Sequence, residues 1–290
     1  MSEADYAAPS PVEIGQIDSI ESAIKFVESV QRGSDLLHAF RGHADAAWNV
    51  VPSIFRDDMN VLEYEMEVIR DLISSYPQEF DNDRTMFDRL VRMQHFGLRT
   101  RLLDVTRNPL PALYFAVEDG KYEDIDGALI VLKVPNDRKK YYDSDAVSCC
   151  VNLGNLSLEE KTTIENTTAS SIADLHKIQA VNRLFQFIRA EKPEFLPRIK
   201  KEDLFKPHYV VPKMNNRRIV AQNGAFIAFG LNRSKGPKYK TGISTTFARI
   251  PSKHKQKIRE SLRQLGFDDS TLFPDIERSA KELMRRYTNE

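Results

Sequence analysis

Between Gln94 and Asn108 the chain gathers an unusual density of side chains able to do chemistry: Gln94, His95, Arg99, Thr100, Arg101, Asp104, Thr106, Arg107 and Asn108. Guanidinium groups grip oxyanions through paired N–H donors, a carboxylate steadies a developing cation, and an imidazole exchanges protons near neutral pH. Burying such a set is costly unless the charges pair or meet an anion. A second candidate group lies upstream at Phe40-Arg41-Gly42. Arg41 is open to two readings, a fork on a phosphodiester or diphosphate, or an ion pair with Asp104. Gly42 either lets a ligand approach the backbone or serves a turn. Arg101 and Asp104 form either an internal ion pair or part of an anion clamp. His95 is either a general acid or base or the end of a helix. Gln222 orients a water or a ribose hydroxyl, or satisfies a turn, and Tyr114 and Phe115 are core or a stacking platform.

The elements that must position these groups follow from apolar spacing. Phe87, Leu90, Val91, Met93 and Phe96 recur with helical period, and Gly97 supplies the left-handed end. Leu102 and Leu103 suggest a short buried strand. Pro109 fits the first turn of a second helix capped by Asn108, which carries Leu110, Leu113, Tyr114 and Val117 inward. Elsewhere the pattern predicts helices over 20–31, 61–73, 178–188 and 253–266 and a last one from about Pro274. Strands are expected over 36–42, 127–135, 209–212, 225–230 and 243–250. The mixture lacks a βαβ rhythm and points to an α+β fold, a single compact domain with a mixed, mostly antiparallel sheet flanked by helices. Residues 1–12 read as a disordered leader, 13–290 as the domain, and the polar, Pro-punctuated segment 136–215 as an inserted loop or lid.

Composition narrows the function classes. Lys+Arg and Asp+Glu both total 42, so no global field advertises nucleic acid or an anionic membrane. Cys149 and Cys150 are adjacent, which rules out a disulfide framework. No Gly-rich phosphate loop, CxxC, HExxH or GxSxG occurs, and no metal site is expected. With no signal-peptide pattern and no apolar run of membrane length, a cytoplasmic setting with no membrane partner is expected.

Phe40-Arg41-Gly42, followed by Trp48, Pro52-Ser53 and Phe55-Arg56, resembles the FRG domain family, named for that tripeptide. The run QHFGLRTRLLDVTRNPLPALYFAV is similar to the family's second block, and RRIVAQNGAFIAFG and TLFPDIERSAKEL to later ones. On this resemblance 13–290 is an FRG-type domain of a kind found chiefly in bacteria and phage-related settings. The aromatic-Arg-Gly block also resembles the first block of ADP-ribosyltransferases, in which the arginine grips the phosphates of NAD. That resemblance implies NAD as substrate, with Phe40, Arg41, Gly42, Arg101 and Tyr114 binding it and His95, Asp104 and Gln222 as catalytic candidates. It further implies a toxin or phage-defence effector, an RNA, DNA or protein acceptor, and a neutralising antitoxin protein. The sequence departs from the pattern where Gln222-Asn223-Gly224 stands in place of a glutamate. Ile243-Ser244-Thr245-Thr246 echoes a Ser-Thr-Ser strand but follows that block. Two other readings stay open: a non-catalytic nucleic-acid or nucleotide-binding module using Arg217, Arg218, Lys253, Lys255 and Lys257, and a metal-free hydrolase using His95 and Asp104.

Overall fold

A computed structural model describes residues 11–56, 61–169, 171–231, 242–274 and 284. In chain order it opens with β1 (Val12–Gln16), α1 (Ile20–Gln31) and β2 (Leu37–His43), followed by α2 (Glu65–Ser75), α3 (Pro77–Phe80) and α4 (Met86–His95). Next come β3 (Leu102–Thr106), α5 (Pro109–Val117), β4 (Gly127–Val134) and β5 (Lys139–Tyr141). A helical run follows: α6 (Asp145–Val151), α7 (Leu158–Glu165), α8 (Ile172–His176), α9 (Gln179–Glu191) and α10 (Lys201–Phe205). The chain then returns through β6 (His208–Val211), α11 (Arg217–Ala221), β7 (Gly224–Ala228), β8 (Ser244–Ile250), α12 (Ser252–Gln264) and α13 (Asp269–Leu272).

The described strands form one eight-stranded sheet in the order β1-β8-β4-β2-β3-β7-β6-β5. Its pairings are antiparallel except β1 with β8 and β5 with β6. This is the expected α+β architecture. β4 is buried along both faces, as its continuous apolar run requires. One face of the sheet is covered by two helical layers. α1, α5 and α12 pack over the β8-β4-β2 half through Phe26, Val27, Leu113, Val117 and Ile258. α2, α4 and α6 pack over β3, β7 and β6 through Ile69, Phe87, Leu90, Met93 and Val147. The other face is closed by Val50, Val51, Ile54 and Phe55 from the connection after β2.

The local signals around the central turn hold. Thr85 caps α4 with a reciprocal Asp88 bond, and Gly97 turns the chain at φ 86°. Asn108 caps α5 by accepting from the Leu110 N–H at 3.0 Å. The expected leader falls mostly on residues outside those described, but Val12, its last residue, already begins β1. The helix expected from Pro274 also lies outside the described residues, Met284 apart. The segment 136–215 is mostly helical, with its own core of Leu153, Ile164, Val181, Leu184 and Ile188, and it adds β5 and β6 to the sheet. Among the described residues no helix is long and apolar enough to cross a membrane.

Candidate functional site

β2 and β3 are neighbours in the sheet but pair only at Phe40↔Thr106. Beyond that point they splay, and a cleft of about 250 Å³ opens there. Leu102, Asp104 and Thr106 share a face of β3 with Phe40, the face bearing both helical layers. Asp104 and Thr106 therefore emerge at the seam between α5 and α4. Arg41, on the opposite face by alternation, reaches the cleft through the splay. Its Nη1 donates to the Asp104 carbonyl at 2.7 Å and its Nε donates to His43 Nε2 at 3.0 Å. The side-chain bond takes a carbonyl that a continuous ladder would have paired.

Burial pulls the Arg41 guanidinium down to about 10, with the Asp104 charge opposing and Arg56 assisting, so it is a full cation at neutral pH. Burial, followed by the charges of Arg41 and Arg56, holds His43 well below the ordinary histidine value. That imidazole is neutral, as its accepting role requires.

The Asp104 carboxylate accepts from Gln94 Nε2, and Gln94 Oε1 in turn accepts from Thr100 Oγ1 at 2.8 Å. The third wall is α11 and its exit. Thr106 Oγ1 donates to the Gln222 carbonyl at 2.7 Å, and Gln222 Nε2 donates to the Leu272 carbonyl at 2.9 Å. Arg218 stacks over the Phe273 ring at 4.7 Å, and Phe273 meets Phe115 edge-on at 5.7 Å. Glu118, at the end of α5, completes a lining with two guanidinium groups, two carboxylates and an aromatic wall.

Of the residues singled out in the sequence, Phe40, Arg41, Gly42, Asp104 and Gln222 line this cleft. His95 lines an adjoining hollow of about 60 Å³ that shares Asp104, Arg218 and Gln222 with it. Arg101 is not among the lining residues. It is 1% exposed and forms a two-pronged pair with Glu65 of α2, at 2.8 and 2.5 Å, rather than with Asp104. Arg101 lies just ahead of β3, three residues from Asp104, and its guanidinium is committed to Glu65 instead. Tyr114 is buried in the core layer, and its neighbour Phe115 is the aromatic of α5 that lines the cleft. Gly42 has a different reason from ligand approach, because a Cβ there would lie 1.9 Å from the Ala112 carbonyl of α5. Lys255, read as part of a basic binding face, is buried and donates to the Ala44 and Tyr122 carbonyls at 2.6 and 2.7 Å.

Three contributors escaped the sequence reading, His43 as an orienting group, Glu118 and Phe273, whereas Phe115 shared with Tyr114 the reading of core or stacking platform. The spacing of Phe115 and Glu118, three apart along α5, places both on one stripe and was the available signal. Among the described residues no group of three or more His, Cys, Asp or Glu could hold a metal ion.

Residues 37–124, from the start of β2 past Glu118, match the FRG domain family. The chain carries an FRG domain. The FRG match supplies Arg41, Asp104 and Glu118 to the cleft, while Arg218, Gln222 and Phe273 come from beyond it. No curated protein and no solved structure matches the chain.

Proposed function

We propose that the FRG cleft binds NAD and transfers its ADP-ribose to an acceptor. The observation that carries this reading is the presence of Arg41 and Glu118 in one cleft, beside Arg218 and Asp104. A simple polyanion calls for cations alone. A ligand with a diphosphate and, one ribose away, a cationic pyridinium ring matches a lining with both signs. Arg41 would neutralise the diphosphate as the C1′–N glycosidic bond breaks and nicotinamide leaves with the electron pair. Glu118 would stabilise the oxocarbenium-like ribose, the task for which Gln222-Asn223-Gly224 offers no glutamate. The acceptor's nucleophile then bonds to C1′ and its proton passes to His95, our candidate base in the adjoining hollow. In a bacterium such an activity would suit a toxin or phage-defence effector kept in check by a neutralising protein, with protein, RNA or DNA as acceptor.

Calorimetric titration with NAD, and NMR detection of free nicotinamide with and without RNA, DNA or lysate protein, test the reading. Arg41→Ala is expected to lose NAD affinity, and Glu118→Gln to keep affinity while nicotinamide release falls by at least ~100-fold, the scale of one lost electrostatic stabiliser. A wild-type protein that binds no NAD, or a Glu118→Gln variant with full turnover, overturns it. A second reading, a nucleotide-binding module without chemistry, is favoured by the internal bonds already made by Asp104 and Gln222. It predicts Arg41-dependent binding with no nicotinamide release under any condition.

A further inference from the structure

A guanidinium has five N–H donors. Arg41 commits two of them inside the protein, one to the His43 imidazole nitrogen at 3.0 Å and one to the Asp104 carbonyl at 2.7 Å. Two bonds from a planar fork fix both its position and its roll. Both acceptors are electrically neutral groups. A carboxylate at position 43 would orient the fork equally well but cancel its charge. Here the orientation leaves the positive charge intact and three N–H groups uncommitted among the described residues, in a side chain that lines the cleft.

His43 is suited to this task. It is 1% exposed, packs edge-on against Trp48 with ring centroids 5.7 Å apart, and hydrogen-bonds the Trp48 backbone. Trp48 is braced in turn by Tyr122 at 5.0 Å, whose carbonyl is held by the buried Lys255. The imidazole therefore has little freedom to turn its accepting nitrogen away from Arg41. The spacing follows from the strand itself, since residues two apart in β2 fall on the same face.

We infer that His43 is the positioning residue for Arg41, a neutral acceptor that presents the rest of the guanidinium to a phosphate oxyanion taken bidentately. This rests on the proposed function for the nature of the ligand, but the His43–Arg41 bond can be tested without it. Inorganic pyrophosphate is the probe, titrated calorimetrically into the full chain and its variants His43→Ala and His43→Gln. The Gln amide oxygen can stand near the imidazole Nε2 position, and Ala leaves no acceptor. The Arg41 Nε–H resonance, assigned by its loss in Arg41→Lys, reports the bond directly.

The expected result is pyrophosphate affinity reduced roughly tenfold in His43→Ala, as for one lost orienting hydrogen bond, and largely restored in His43→Gln. The Nε–H proton should exchange slowly in the wild type and His43→Gln and fast in His43→Ala. Wild-type affinity in His43→Ala, or no recovery in His43→Gln with both variants folded by circular dichroism, overturns the assignment. If the wild type ignores pyrophosphate, the proposed ligand falls. The Nε–H exchange then decides the His43 assignment alone, and equal exchange in all three proteins refutes it.

Discussion

Glu65→Gln tests what Arg101 is for. Glu65, 2% exposed, receives Arg101 through two bonds and Lys161 at 2.6 Å, tying α2 and α7 to the residue that leads into β3. Burial pushes its carboxyl up, and the two cations overrule burial and hold it down to about 2 from an ordinary 4.5. At ~1.4 kcal/mol per pH unit, that displacement is worth about 3 kcal/mol of folding stability. The folded value lies below the unfolded one, so this contribution is complete above pH 4.5 and is lost as pH falls toward 2. Gln at position 65 would leave two cations buried without a counter-charge, for which a loss of about 3–5 kcal/mol is expected at pH 7. Urea unfolding at pH 7 and at intervals down to pH 3 measures both effects. The difference between the wild type and Glu65→Gln should be largest at neutral pH and narrow in acid, because a protonated Glu65 resembles the amide. A difference below about 1 kcal/mol at pH 7, or one that does not change with pH, would refute the claim that the Glu65 carboxylate neutralises two buried cations. Pyrophosphate affinity of the folded variant should match the wild type, since Arg101 does not line the cleft.

Three further outcomes follow from the same geometry. Gly42→Ala drives a methyl group to 1.9 Å from the Ala112 carbonyl and 2.7 Å from the Ala116 nitrogen, both in α5 backbone. Such overpacking should cost about 3 kcal/mol or more in a denaturant titration, whether or not a ligand is added. Asn108→Ala removes the cap on the Leu110 N–H and should cost about 1 kcal/mol, read as a lowered urea midpoint. Asn223 adopts φ 48° and accepts from Arg107 Nε at 2.9 Å. Asn223→Gly should be tolerated better than Asn223→Ala, by about 1 kcal/mol in thermal melts, because Gly has no Cβ to strain in the left-handed region.

The contrast between what the sequence disclosed and what it hid is physical. α1, α4 and α5 were legible because amphipathic spacing, N-caps and Gly97 are local signals, and β4 because its apolar run needs no partner to be recognised. β1 was missed because Val12 and Ile14 alternate on an exposed edge, and both remain solvent-facing. α6 was missed because Ala146, Val147, Ser148, Cys149, Cys150 and Val151 are all buried, so no polar stripe gives it a helical rhythm. Arg101 was misassigned by proximity, since its partner Glu65 lies 36 residues away on a helix whose acids read as solvated. Tyr114 and Phe115 show how little separates core from site, because one step along a helix turns a side chain by roughly 100°.

Arg41 was legible, and the splay it crosses was not. That splay gives the arginine two linked tasks. With β2 and β3 paired at a single position, the Asp104 carbonyl would face the opening without a partner if the guanidinium left it. Removing Arg41 therefore strips the cleft of its cation and loosens the strand edge that forms its wall. Arg41→Lys separates these consequences, because an ammonium can reach one acceptor but cannot satisfy His43, the carbonyl and a bidentate ligand from one fixed plane. The variant should fold with a melting temperature close to that of the wild type and still lose most of the pyrophosphate affinity. A Lys at position 41 that binds pyrophosphate normally would mean that charge alone recruits the anion, and that the alignment imposed by His43 has no part in binding.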